Sequence, residues 1–132
     1  MLFVGVPSEM NAALRKSIVE TKVGETGYVY IIDNDGRYIV SENGERDGDI
    51  VLQEKDSSGN YFIQDMISQA HALGSEEIGE QTYPWKNPGD PAPRLKHSKF
   101  VYFAPWNWII GAGSYEDEIL AAPRLIAKKQ KQ

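Results

Sequence analysis

Residues 82–115 read TYPWKNPGDPAPRLKHSKFVYFAPWNWIIGAGSY, and this stretch decides the fold. All three tryptophans lie inside it. Two long runs, 94–103 and 106–115, are rich in β-branched and aromatic residues, the composition of strands. Only Ala104-Pro105 separates them, so they predict an antiparallel pair. Tyr83-Pro84-Trp85 ends a further expected strand over 78–85, and a Pro/Gly/Asp loop follows. On a regular strand Arg94, Lys96, Ser98, Phe100 and Tyr102 share one face, and Leu95, His97, Lys99, Val101 and Phe103 share the other. Tyr83 and Trp85 share a face for the same reason. Cations and aromatics are thus interleaved locally, in a chain whose formal net charge is −5.

Working outward, Tyr28-Val29-Tyr30-Ile31-Ile32 and Arg37-Tyr38-Ile39-Val40 flank the turn cluster Asp33-Asn34-Asp35-Gly36, which predicts a β-hairpin. The same cluster invites a calcium-loop reading, and Glu42 falls where the last ligand belongs. The first ligand position holds Ile31, however, so the hairpin turn is preferred and no metal is expected. Met10, Leu14 and Ile18 recur every four residues on a helix predicted over 9–21 and capped by Ser8. That stripe predicts either core packing or a homodimer seam. Phe62, Ile63, Met66, Ile67, Ala70 and Leu73 predict a second helix over 60–73, ended by Gly74. Residues 41–59 are polar and turn-rich, with only Ile50, Val51 and Leu52 as anchors. A loop of that length often forms a lid or one wall of a site. Glu116-Asp117-Glu118 opens an expected last helix. The order predicts an α+β domain: a five-stranded antiparallel sheet with flanking helices, largely on one face, and a small-ligand site roofed by the loop and the middle helix.

Composition excludes several functions. The chain has 132 residues, 41% hydrophobic and 25% charged, enough for one domain with one core. Its acidity opposes nucleic acid, which needs a basic face. With no cysteine there is no disulfide, thiolate nucleophile or zinc-finger spacing. No apolar run approaches the ~20 residues that span a bilayer. No phosphate-binding loop, dinucleotide fingerprint or nucleophile motif is present, and no cofactor is expected.

The chain resembles the Cache family of extracytoplasmic, PAS-like sensor domains. The resemblance is carried by Lys22-Val-Gly-Glu-Thr-Gly27-Tyr28, by Asp35-Gly36-Arg37-Tyr38, by Asp56 with Gly59, and by the helix around 62–70. Its most specific part is Tyr83-x-Trp85-x-x-Pro88-Gly89, Lys96, and Phe103-x-Pro105-Trp106-x-Trp108-Ile-Ile-Gly111-x-Gly113-x-Tyr115. It implies the ligand-sensing part of a membrane receptor, either a chemoreceptor or a sensor histidine kinase, facing the periplasm or cell exterior and not itself an enzyme. Residues 1–132 then form a single Cache-like domain. Residues 1–7 read as the end of a preceding lobe, and 124–132 as a tail toward a transmembrane segment outside this chain. Two departures touch the ligand: Ser41-Glu42 stands where His-Pro often follows the second strand, and Ser98-Lys99 where Ser-Tyr is common.

The family's ligands are small organic acids and amino acids. A buried carboxylate needs one cation and neutral donors in an apolar cavity. Lys96 is the first choice for the cation and Arg94 the second. Tyr83, Tyr102 and Tyr38 are hydroxyl donors, and Trp85 and Phe103 are apolar walls. Trp106, Trp108, Gly111 and Gly113 are assigned to building the last hairpin. Two other readings stand beside this one: a lobe that binds nothing and only dimerises or transmits motion, and a small enzyme.

Overall fold

In the computed structural model, which describes residues 12–87 and 89–118, the 82–115 stretch forms the expected pair of strands. The elements in chain order are α1 (Ala12–Glu20), β1 (Lys22–Val23), β2 (Gly27–Asp33), β3 (Tyr38–Val40), α2 (Phe62–His71), β4 (Gly79–Trp85), β5 (Arg94–Phe103) and β6 (Trp108–Tyr115). All five expected strands are present, and β1 adds a sixth of two residues. The sheet is antiparallel, in the order β1-β2-β6-β5-β4, and β3 also pairs with β2. The β2–β3 turn is the predicted hairpin: the Asp33 carboxylate accepts the N–H groups of Asp35 and Arg37, at 2.9 and 3.0 Å. The β5–β6 connection is longer than Ala104-Pro105 alone. A 3-10 turn over Ala104–Trp106 is closed by Asn107 in the left-handed region, φ 54°. Ser8, Met10, residues 1–7, Pro88, the helix beyond Glu118 and the tail 124–132 lie outside the described residues.

Alternation sorts the sheet into two faces. Tyr30, Ile32, Tyr83, Phe100 and Ile109 pack with Phe62, Ile63, Met66 and Ala70 of α2. Ile31, Val40 and Trp108 pack the other way, against Ile18 and Val19 of α1. The two helices therefore cover opposite faces rather than largely one. The reason is the period of two: successive residues of β2 are buried on both sides. Ile18 joins this second core while Leu14 stays 52% exposed. In the long loop Val51 is buried, whereas Ile50, whose backbone bridges Arg37, is exposed. On β5 the inner set is Lys96, Ser98 and Phe100, and the other apolar residues do not join it. Leu95 and Phe103 are 43% and 40% exposed, whereas Lys96 and Ser98 are 4% and 1% exposed.

Gly111 and Gly113 do more than shape a hairpin. A Cβ on Gly111 would sit 2.3 Å from the Tyr30 ring, and one on Gly113 would sit 2.7 Å from Cε of Lys96. These absent side chains leave room under α2 for a tyrosine and a lysine. Tyr30 cannot retreat cheaply, since its hydroxyl bonds Ser98 and lies 3.5 Å from the Met66 sulfur. Gly111→Ala should therefore destabilise the fold by about 1–3 kcal/mol through overpacking. Urea unfolding reads this directly, and a change within about 0.5 kcal/mol would show that Tyr30 moves aside freely.

Candidate functional site

Lys96 stands near the start of β5, with Tyr83 opposite it on β4 and Tyr115 opposite it on β6. Its stem runs over Gly113. Its ammonium donates to the Tyr28 hydroxyl and lies 4.4 Å from the centroid of that ring and 5.8 Å from that of Tyr83. No carboxylate among the described residues forms an ion pair with it. Burial pushes its pKa down to about 8, and the Glu42 carboxylate pulls the other way. Two tyrosine faces and one hydroxyl thus replace much of the hydration an ammonium requires.

Space opens from Lys96 in two steps. An inner chamber of about 10 Å³, bordered by Tyr28, Tyr30, Tyr38, Phe62, Tyr83 and Lys96, is the size of one water. An outer cleft of about 320 Å³ is lined by Tyr28, Tyr38, Ser41, Glu42, Glu45, Arg46, Trp85 and Asn87. Tyr28 and Tyr38 border both. Burial, with neighbouring acids and tyrosines, raises the pKa of Tyr28, and burial raises that of Tyr38 to about 12. Both hydroxyls stay protonated near neutral pH and can donate. Since Tyr28 accepts from Lys96, its own hydrogen is free to point at the cleft, polarised by the ammonium behind it.

The long loop is the cleft's outer wall. Asp47 accepts the N–H and hydroxyl of Ser41 at 2.7 and 2.8 Å and pairs with Arg15 of α1 at 3.1 Å. Arg46 pairs with Glu54 through both terminal nitrogens and with Asp49 at 3.4 Å, its guanidinium 5.9 Å from the Tyr38 ring centroid. The opposite wall leads out of the site. Trp85 donates to Asn87 at 3.2 Å, and Asn87 donates to the Tyr115 hydroxyl at 2.7 Å.

Of the residues expected from sequence, Lys96 and Tyr83 border the chamber, Tyr38 borders chamber and cleft, and Trp85 lines the cleft. Arg94 and Tyr102 share the strand face but reach neither space. The Arg94 guanidinium lies 3.9 Å over the Tyr115 ring and pairs with Asp117 at 3.3 Å, Glu118 at 3.5 Å and Asp90 at 3.6 Å. Tyr102 is six residues from Lys96, about 20 Å along a strand, and donates to Asn107 at 2.6 Å. Tyr28, Glu42, Arg46 and Asn87 were not among the expected residues. The face of Tyr28 was legible from alternation with Tyr30. Its nearness to Lys96 depends on the β2–β6–β5 register, in which Tyr28, Gly113 and Ser98 align.

Glu118 closes the exit from the sheet. Its carboxylate accepts the N–H groups of Glu25 and Thr26, both at 3.1 Å, and the Thr26 hydroxyl at 2.5 Å. Burial alone would raise its pKa; the Thr26 and Glu25 hydrogen bonds and Arg94 hold it below the usual carboxylate range. The residues after β6 are thereby fastened to the turn that leads into β2.

Residues 1–128 match the family described as the Cache 3/Cache 2 fusion domain. Sensor histidine kinase MctS of Rhizobium johnstonii is 32% identical over 99 residues, which is 74% of this chain and 21% of the kinase. Methyl-accepting chemotaxis protein McpP of Pseudomonas putida is 34% identical over 67 residues, 51% of this chain and 12% of that protein. The chain thus spans about a fifth of the kinase's length and less of the chemotaxis protein's. A solved Cache chemosensory domain, described for the structural basis of carboxylic acid recognition, superposes with a TM-score of 0.66 at 28% identity over 79% of this chain and 69% of that one.

Lys96 holds its proton less tightly in the fold than in the unfolded chain. Its charge therefore destabilises the fold below about pH 8, and stability returns as pH rises toward the ordinary lysine value of 10.5. The full swing is roughly 3 kcal/mol. Lys96→Met should lose this slope, so its stability relative to the parent should fall between about pH 8 and about pH 10.5 in urea unfolding. Parallel pH profiles would show the ammonium to be well solvated. Thr26→Val, which removes one charge-assisted bond to Glu118, should cost about 1–2 kcal/mol by the same assay; no loss would mean the clamp contributes nothing.

Proposed function

The chain belongs to the Cache 3/Cache 2 fusion domain family, and we propose that it is a sensor domain that binds a small carboxylate-bearing ligand in the cleft in front of Lys96. Cache domains are periplasmic sensor modules of membrane receptors; no helix among the described residues is long and apolar enough to cross a membrane. The observation that carries the reading is Lys96 itself, 4% exposed and without a carboxylate partner among the described residues. A buried cation of this kind is an unmet electrostatic demand that an anion satisfies. A ligand carboxylate enters between Tyr28 and Tyr38, accepts from their hydroxyls, and gains the field of the ammonium behind them. Trp85, Tyr83 and Phe62 supply the apolar surround. Carboxylate recognition by the solved relative supports the same class of ligand here.

The residues around the cleft also suggest how occupancy leaves the domain. Asn87 joins the cleft wall to Tyr115, Arg94 lies over Tyr115, and Arg94 pairs with Asp117 and Glu118 just beyond β6. A ligand that shifts Asn87 acts on the end of β6 and on the segment that carries the output. On this reading the domain faces outside the membrane, and the receptor's remaining parts, including any preceding lobe and the signalling output, lie beyond this chain.

Thermal unfolding should shift upward with short carboxylates or amino acids, by an amount that grows with ligand concentration as binding to the folded state requires. Lys96→Met should abolish the shift. A shift that survives this substitution removes Lys96 as the anchor, and the absence of any shift across both compound classes favours a lobe that binds nothing.

A further inference from the structure

The charges at the cleft mouth do not suit a plain carboxylate. Arg46 lines the cleft, but its guanidinium is matched by Glu54 and Asp49. That leaves Glu42 and Glu45 on the lining, both exposed and neither given an ion pair among the described residues. Glu42 is the better placed of the two. It follows Ser41, whose hydroxyl and N–H are pinned by Asp47, so the backbone that carries it is fixed beside the cleft. It also borders the adjoining pocket formed with Lys22, Thr26 and Tyr28. It lines the outer cleft together with Tyr28 and Tyr38, and its negative charge is felt at Lys96, Tyr28, Tyr38 and Tyr115.

From Lys96 outward the site therefore reads cation, neutral hydroxyl donors, then anion. A simple monocarboxylate set between them satisfies Lys96 but meets a like charge at Glu42. A ligand with an ammonium group next to its carboxylate gives alternating charge through the whole site and adds no net charge to an acidic cleft. Like charges across a binding site are a recognised means of rejecting the wrong partner.

We infer that Glu42 is a specificity-determining residue that selects an α-amino acid over the matching plain carboxylic acid, by pairing its carboxylate with the ligand's ammonium while Lys96 and Tyr28 hold the ligand's carboxylate. This rests on the carboxylate reading of the cleft. Because the Glu42 side chain is exposed and makes no hydrogen bond among the described residues, Glu42→Gln leaves the packing intact.

The test is calorimetric titration of the 132-residue chain with matched pairs: glycine and acetate, alanine and propionate, valine and 3-methylbutanoate. In the parent, the amino acid of the best-bound pair should bind at least about tenfold more tightly than its partner acid. Glu42→Gln should weaken the amino acid by about tenfold and leave or improve the acid, so that the preference collapses. Equal or tighter binding of the plain acid in the parent overturns the inference. So does a preference for the amino acid that Glu42→Gln leaves unchanged. In either of those cases the carboxylate reading still stands if Lys96→Met abolishes binding. Lack of binding by every compound overturns both.

Discussion

A lysine ammonium buried in a sheet face, with no carboxylate ion-paired to it among the described residues, is the constraint on which the rest of this structure depends. Burying a bare charge is prohibitive unless something replaces its water. Here Tyr28 supplies a hydroxyl and a ring face, and Tyr83 a second ring. Gly113 is required so that the stem can lie flat against β6. The compensation is partial, as the lowered pKa of Lys96 records. A fold that tolerates such a residue carries a cost, and on the proposed reading an anionic ligand is what offsets it.

The same face gives the domain its two ends. One end of the site is the long loop, tied to α1 through Arg15 and Asp47 and kept in place by the Arg46–Glu54 pair. Exposed ion pairs of this kind are individually weak, so the loop can adjust without unfolding the sheet. The other end is stiffer. Asn87, Tyr115, Arg94 and Glu118 form a continuous run of hydrogen bonds, a cation–ring contact and ion pairs that finishes on backbone N–H groups at the start of β2. On the proposed reading, a ligand sits between an adjustable wall and a firmer one that leads to the end of β6.

Much of this was legible in the residue order. The strands, the α2 stripe, the hairpin at Asp33–Gly36 and the shared face of Arg94, Lys96 and Tyr102 all follow from periodicity and turn chemistry, which are local. Arg94 shows where local reasoning stops. It lies on the right face, yet acids at 90, 117 and 118 draw it toward the exit, and no pattern within β5 announces them. Tyr28 shows the converse. It had no special standing in its own strand and became Lys96's closest partner once β6 had brought β2 and β5 together. The helices were expected largely on one face because their order in the chain does not specify which side of the sheet each one crosses.

By itself the sequence determined which residues share a face, because a strand's period of two is a property of the backbone. It placed Lys96 on one face of β5 and Tyr83 with Trp85 on one face of β4, but the β4–β5 register is what set Tyr83 opposite Lys96. The tertiary structure alone decided which face was inside. On β5 it buried Lys96 and Ser98 and exposed Leu95 and Phe103, against the simple expectation from hydrophobicity. The physical reason is that burial belongs to the sheet as a whole. Ile109, Tyr30, Phe100 and the α2 residues on that face outweigh one buried ammonium, and the tyrosines beside it make the exception tolerable.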